Sequence, residues 1–231
     1  MSTADSAAQP PGGTGGLAPR RRLRRRLAQG VLVIGLICGV GTVSAGLRQE
    51  DRTAPLPART FGSAQLPASA PSTLPAQGGT LPSVSAYGPN RLVIPSLGVD
   101  AQIRPEHVDP SQGLVIPGDP GQIGRWVDGP DLTADRGTTV LAGHVNLADR
   151  PGALHALHRI AEHAQVITTD AAGRRHQWHV DALVVRAKTD LPQFSSQGPR
   201  RLAMVTCGGP LLRLNGVDTY RDNVIAFAVP G

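Results

Sequence analysis

The hydrophobic pattern of the chain changes three times along its length. Residues 1–19 hold Ala, Gly, Pro, Ser and Thr with no periodic apolar positions, the pattern of a disordered tail. Six arginines follow at Arg20, Arg21, Arg22, Arg24, Arg25 and Arg26, so 1–26 reads as a disordered basic tail. Ala28 to Leu47 then contains no charged residue. A helix of about 20 residues spans roughly 30 Å, the thickness of a bilayer core, and 27–47 is predicted to be a transmembrane anchor. Residues 48–90 lose both the continuous apolar character and any alternation. They are rich in Pro, Ala, Ser and Thr and are predicted to form a linker, which could reach on the order of 130 Å if extended.

From Arg91 the pattern becomes one of short β-type runs separated by Gly, Pro, Asp and Asn. RLVIPSLGVDAQI, GLVIPG, GRWVDG, GTTVLAGHV, AQVITT, HQWHVDALVVRA, RRLAMVTC and RDNVIAFAV give about eight strand candidates over 91–231. That number suggests a mainly β domain closed into an eight-stranded barrel. PGALHALHRIAEH is the stretch that reads as helical, with Pro151 near its start and Leu154, Leu157 and Ile160 three residues apart. One or two short helices are therefore expected. The 13-residue stretch from Gly208 to Tyr220 is expected to be a loop covering a groove.

Charge locates the chain rather than defining a ligand. The net charge is +6, but six of the 23 Lys and Arg lie in the arginine run, and the remaining 17 equal the 17 Asp and Glu. The excess sits in front of the apolar stretch and not on the folded domain, which argues against nucleic acid as a partner. Arginines N-terminal to the span are retained in the cytoplasm, so 91–231 is expected outside the plasma membrane, at the cell wall. Val43-Ser44-Ala45 resembles a signal-peptidase site, and cleavage there would export the same domain.

The chain has two cysteines, and Cys38 lies within the apolar stretch. The exported domain then carries one thiol, Cys207, with no partner for a disulfide, a pattern that flags either reactivity or a small core residue. Cys207 closes an apolar run and precedes Gly208 and Gly209. Gly143-His144 ends another run, and Tyr220-Arg221-Asp222-Asn223 opens the last. The other histidines lie in polar stretches or on the expected helix. No CxxC or HExxH spacing is present, and neither a metal nor a cofactor is expected.

GHVN, VTCGG and YRDNV, in that order and at strand ends, resemble the sortase family, and most closely its actinobacterial class E and class F members. The resemblance covers 91–231, and an N-terminal anchor and stalk fit it. At the start of the family's T-L-x-T-C segment this chain has Ala203 and Met204; Thr206 and Cys207 match its end. The resemblance implies a cysteine transpeptidase that cleaves an LPxTG-like sorting signal through a thioacyl intermediate. Cys207 would be the nucleophile, His144 the general acid and base, and Arg221 the donor to the oxyanion or substrate backbone. Thr206 and Gly208 would contact substrate. The implied partners are surface proteins carrying a C-terminal sorting signal, an amine of peptidoglycan or pilin, and the membrane through residues 28–47.

Two other classes remain open at this point. One is another exported Cys/His acyl transferase or peptidase, such as an L,D-transpeptidase, although Met204, Val205 and Thr206 stand where that family carries a His shortly before its Cys. The other is a non-catalytic wall-binding β-module.

Overall fold

The structure is a computed structural model that describes residues 53–62, 87–109, 113–214 and 216–231. The predicted tail and membrane anchor lie outside the described residues, as does most of the predicted linker. Among the described residues no helix is long and apolar enough to cross a membrane.

Among the described residues there are eleven strands: β1 (Thr53–Ala54), β2 (Arg91–Ile94), β3 (Val99–Glu106), β4 (Gln122–Trp126), β5 (Thr138–Gly143), β6 (Asn146–Leu147), β7 (Arg150–Pro151), β8 (Gln165–Thr169), β9 (Arg175–Ala187), β10 (Arg201–Leu214) and β11 (Val217–Pro230). Eight of them close into a barrel in the order β10-β11-β9-β8-β2-β3-β4-β5, and β5 returns to β10. Closure removes the free sheet edges that would otherwise invite intermolecular pairing. The pairs β3–β4 and β5–β10 are parallel, and the other barrel pairs are antiparallel.

The eight barrel strands are not quite those the pattern predicts. RLVIPSLGVDAQI supplies two, because Pro95–Leu97 forms a 3₁₀ turn closed by Gly98 at φ 66°, a left-handed conformation that favours glycine. GLVIPG supplies none; it makes one isolated bridge, Val108 to Leu114.

Alternation along the strands creates two apolar layers. Leu92, Ile103, Ile123, Leu141, Val166, Trp178, Met204 and Val224 belong to one buried cluster drawn from all eight barrel strands, which is the barrel interior. Trp178 is accommodated there because its indole N–H donates to Thr168 Oγ1 at 2.9 Å. The second cluster draws on four adjacent barrel strands, with Val140 and Ala142 from β5, Ala203, Val205 and Cys207 from β10, Ile225 and Phe227 from β11, and Ala182 and Val184 from β9. It lies on the outer face and is covered by Ala54, Leu114, Val145, Phe194 and Tyr220. Two-sided burial explains why RLAMVTC reads as a continuous apolar run.

Three expectations are corrected. The predicted helix over 151–163 is a single 3₁₀ turn, Leu157–Arg159. Its apolar residues repeat every three positions, the period of a 3₁₀ helix, and its N–H groups follow suit: Leu157 to Leu154, Arg159 to Ala156 and Ile160 to Leu157. Upstream, the N–H groups of Ala153 and Leu154 donate to Pro120 and His144, so no α-helical ladder starts.

The predicted loop between Gly208 and Tyr220 is mostly strand, since β10 and β11 continue pairing to Leu214 and Val217 across a bulge at Gly208–Leu211. Gly216, at φ 82°, permits the tight connection that replaces the loop. Finally, residues 53–62, inside the predicted linker, dock on the barrel. β1 pairs with β10 through Thr53↔Pro210 and Ala54↔Gly209, and Phe61 bridges Leu183. Composition hid this because β1 is two residues long and its pairing satisfies backbone groups, which composition does not report.

Candidate active site

The site forms where β5 and β10 part. Their parallel ladder runs from Arg201↔Thr138 to Val205↔Ala142, and one step further Thr206 Oγ1 donates to the Gly143 carbonyl at 2.9 Å. The next residues in register are Cys207 and His144. Adjacent strands lie about 4.8 Å apart, so the two leave neighbouring strand ends. By alternation, Ala203, Val205 and Cys207 of β10 and Val140 and Ala142 of β5 share the outer cluster, and His144 directly follows the end of β5. The structure thus brings the first two predicted residues to neighbouring strand ends.

His144 is held from several directions. Its Nε2 lies 3.0 Å from the Pro117 carbonyl oxygen, which can only accept, so the Nε2 position carries the proton. Nδ1 is then the basic nitrogen of the neutral ring. The His144 carbonyl accepts from Leu154, and the Val145 carbonyl accepts from Gly152. Gly152 passes so close that a side chain there would overlap the His144 backbone. The sequence signal for this clamp is the Pro-Gly pair at 151–152, a pair that local pattern alone assigns to a helix start.

Cys207 is 0% exposed. It shares its buried cluster with Ala54 of β1, and the chain just after β1 lies against the next residue: a Cβ placed on Gly208 would sit 2.8 Å from Leu56 Cδ2 and 3.5 Å from the Pro55 carbonyl oxygen. Beyond Val205 the edge of β10 is no longer paired with β5, and β1 takes that edge at Gly209 and Pro210. Gly208 therefore meets the N-terminal segment in this state. Thr206 is buried with its hydroxyl engaged by Gly143, and its role here is to join β10 to β5 directly before the Cys/His pair.

Arg221 lies two residues before Asn223, the cross-strand partner of Cys207, or about 7 Å along β11. Its guanidinium is paired with Asp222: Nε donates to Oδ1 at 3.0 Å and Nη2 to Oδ2 at 2.8 Å. This hydrogen bonding, and then the charge of Asp222, raises the pKa of Arg221 above its usual value. The carboxylate is buried while the guanidinium is about half exposed. Arg213, the other arginine of the hairpin, lies 3.9 Å from Asp218 and is exposed.

Two residues of this face escape motif reasoning. Asn223 is directly opposite Cys207 on one side and Arg186 of β9 on the other, giving a row of Cys207, Asn223 and Arg186 across three strands. In RDNVIAFAV, Asn223 is the last polar residue before a continuous apolar run, so the local pattern does not single it out. Arg186 could have been found only once β9 was known to neighbour β11.

The family model for the sortase domain matches residues 92–231. Among solved structures the chain is similar to sortase A from Corynebacterium diphtheriae, a lid mutant, with 17% identity, 61% of this chain and 68% of that chain covered, and a TM-score of 0.46. It is also similar to sortase C1 of GBS pilus island 1, with 14% identity, a TM-score of 0.48 and 61% of this chain covered; it spans 63% of that chain, under two thirds of its length. A third likeness is to Streptococcus pneumoniae sortase C, with 12% identity, coverage of 63% of this chain and 70% of that one, and a TM-score of 0.48. No curated protein matches the chain in sequence.

Proposed function

The chain belongs to the sortase family of cysteine transpeptidases, and from that premise we propose that it cleaves an LPxTG-like sorting signal and transfers the acyl part to an amine of peptidoglycan or pilin. The observation that carries this reading is the pairing of strand ends: Cys207 and His144 stand at neighbouring ends of β10 and β5, one step beyond the Thr206–Gly143 hydrogen bond.

The chemistry follows from that arrangement. Free thiols have pKa values near 8.5, and the thiolate attacks amide carbonyls well. Cys207 gives its proton to His144 Nδ1 and its sulfur bonds to the scissile carbonyl carbon. The C–N bond breaks as His144 protonates the departing amine, leaving a thioester on Cys207. An incoming amine then attacks the thioester, His144 takes its proton, and the thiol is restored. Arg221 serves the oxyanion or the neighbouring substrate backbone. With Nε and Nη2 turned to Asp222, its Nη1 end has no bond to any described residue and is the end suited to that task. A donor of this kind typically contributes roughly 3–4 kcal/mol to lowering the barrier.

Substrate entry requires a change at β1. The thiol is buried, and the nearest exchangeable cover is the short segment Thr53–Leu56, which contributes Ala54 to the cluster around Cys207. A substrate strand would take the β10 edge that β1 holds. The partners proposed are surface proteins with a C-terminal sorting signal, and the enzyme's place is the outer side of the plasma membrane, anchored through residues 28–47. Class E or class F membership is proposed on GHVN, VTCGG and YRDNV.

The test is to incubate the full-length protein in detergent with a panel of LPxTG-type peptides and an amine acceptor and to look for the joined product by mass. The proposal predicts a ligated product that depends on Cys207. Absence of thiol-dependent cleavage across the panel would refute it.

A further inference from the structure

Asn223 is 0% exposed, and neither its Nδ2 nor its Oδ1 has a hydrogen-bond partner among the described residues. Buried side-chain amides without partners are rare in folded proteins, because each unmade bond forfeits the hydration the group had in the unfolded chain. A leucine or valine at this position would fill the same layer, as Ile225 and Phe227 do two and four residues later. The orphaned amide therefore calls for a reason other than packing.

Its position narrows the reason. Asn223 and Cys207 are directly opposed in the antiparallel β10–β11 ladder. Directly opposed residues on one face have Cβ atoms about 4.5–5.5 Å apart. The amide is thus beside the nucleophile, on the same outer face. Both halves of the amide are unmet, which narrows the ligand further. An anion would satisfy the N–H₂ and leave the carbonyl unmet, and a cation would do the reverse. A peptide group carries one acceptor and one donor and meets both.

We propose that the Asn223 carboxamide binds a main-chain peptide group of the acyl donor next to the scissile bond, Nδ2–H donating to a substrate carbonyl and Oδ1 accepting from a substrate N–H. This rests on the sortase reading above and extends it to a substrate-binding residue on the strand opposite the nucleophile. β1 holds the neighbouring β10 edge through Ala54↔Gly209. A substrate whose scissile bond is seated over the Cys207 sulfur on the outer face brings a peptide group beside the buried amide. Asn223 therefore discriminates for substrate over an empty groove, and acts on binding and orientation rather than on the thiol itself.

The experiment compares the full-length wild type with Asn223→Leu and Asn223→Ala. Three quantities are read: thermal unfolding, the pH profile of Cys207 modification by methyl methanethiosulfonate (a small reagent without an amide), and kcat/KM for the best sorting peptide. For Asn223→Leu the expected result is a melting temperature equal to or above wild type and an unchanged modification profile. Its kcat/KM should fall roughly 10- to 100-fold, the combined effect of two hydrogen bonds. Asn223→Ala, which removes both amide groups without adding a charge, should also lose activity with an unshifted profile, and it decides the matter if the leucine variant does not fold. Turnover within twofold of wild type overturns the proposal. So does a shifted modification profile, because the amide would then act on the thiol. A wild-type protein that forms neither product nor thioester with any peptide refutes the sortase reading, and the proposal with it.

Discussion

Replacing Thr206 with valine isolates one hydrogen bond at the point where the site is assembled. The two side chains are close to the same size, so the change leaves no cavity and removes only the hydroxyl that donates to Gly143 at 2.9 Å. The site is buried, so water does not replace the donor. A buried carbonyl deprived of a partner costs about 1–3 kcal/mol, and a valine methyl in that place recovers none of it. For a domain of this size 1 kcal/mol corresponds to roughly 2–5 °C in melting temperature, so Thr206→Val should melt about 3–10 °C below wild type. Because the lost bond is the last tie between β10 and β5 before Cys207 and His144, activity should fall further than stability explains, by roughly tenfold in kcat at a temperature where both proteins are folded. Thr206→Ser, which keeps the hydroxyl, should retain most of the rate. The assay is thermal unfolding by circular dichroism alongside peptide turnover. A valine variant with wild-type stability and rate would refute the claim that this bond sets the Cys/His geometry.

Asp170 offers a test through pH. Burial would raise its pKa, but the backbone N–H and side chain of Arg174, the His176 ring and the Ala172 N–H outweigh it and hold the carboxyl at about 2, against an ordinary 3.8. A depressed acid stabilises the fold above its unfolded pKa and loses that contribution as pH falls through its folded one. Asp170→Asn should therefore be less stable by roughly 1–2 kcal/mol at neutral pH, and the gap should close between about pH 4 and pH 2 when melting temperature is followed against pH. Deleting Thr53–Gly62 should speed modification of Cys207 by a small thiol reagent at least several-fold, since Ala54 leaves the cluster around the thiol; an unchanged rate would mean that another segment controls entry. Asp222→Asn removes the charge that orients Arg221 while keeping the carboxamide shape, and kcat should fall about three- to tenfold. A rate that rises would show instead that the ion pair holds Arg221 away from the substrate.

Much of the architecture was legible because burial on both faces leaves continuous apolar runs, and TTVLAG, ALVV and LAMVTC all became barrel strands. Cys207 and His144 were legible because each ends such a run beside glycine. Their proximity was not, since it depends on a parallel β5–β10 pairing between segments some 60 residues apart, and no local pattern encodes a partner. The PGALHALHRI stretch misled because i, i+3 spacing serves both an α-helix and a 3₁₀ turn, and the N–H groups that decide between them donate to Pro120 and His144. GGPLLRLNGVDTY misled because its glycines suggested a loop, whereas Gly209 and Pro210 form a bulge within a ladder that continues to Val217. Asn223 drew attention only as part of YRDNV; its significance needed the register that sets it against Cys207.

The most direct test of the central claim is intact-mass and peptide-mapping analysis of the wild-type protein after exposure to a sorting peptide without an amine acceptor and rapid acid quench. The account predicts a hydroxylamine-sensitive acyl mass on the tryptic peptide containing Cys207, absent when Cys207 is replaced by alanine. An acyl mass that persists without Cys207, or that maps to any other residue, would contradict it.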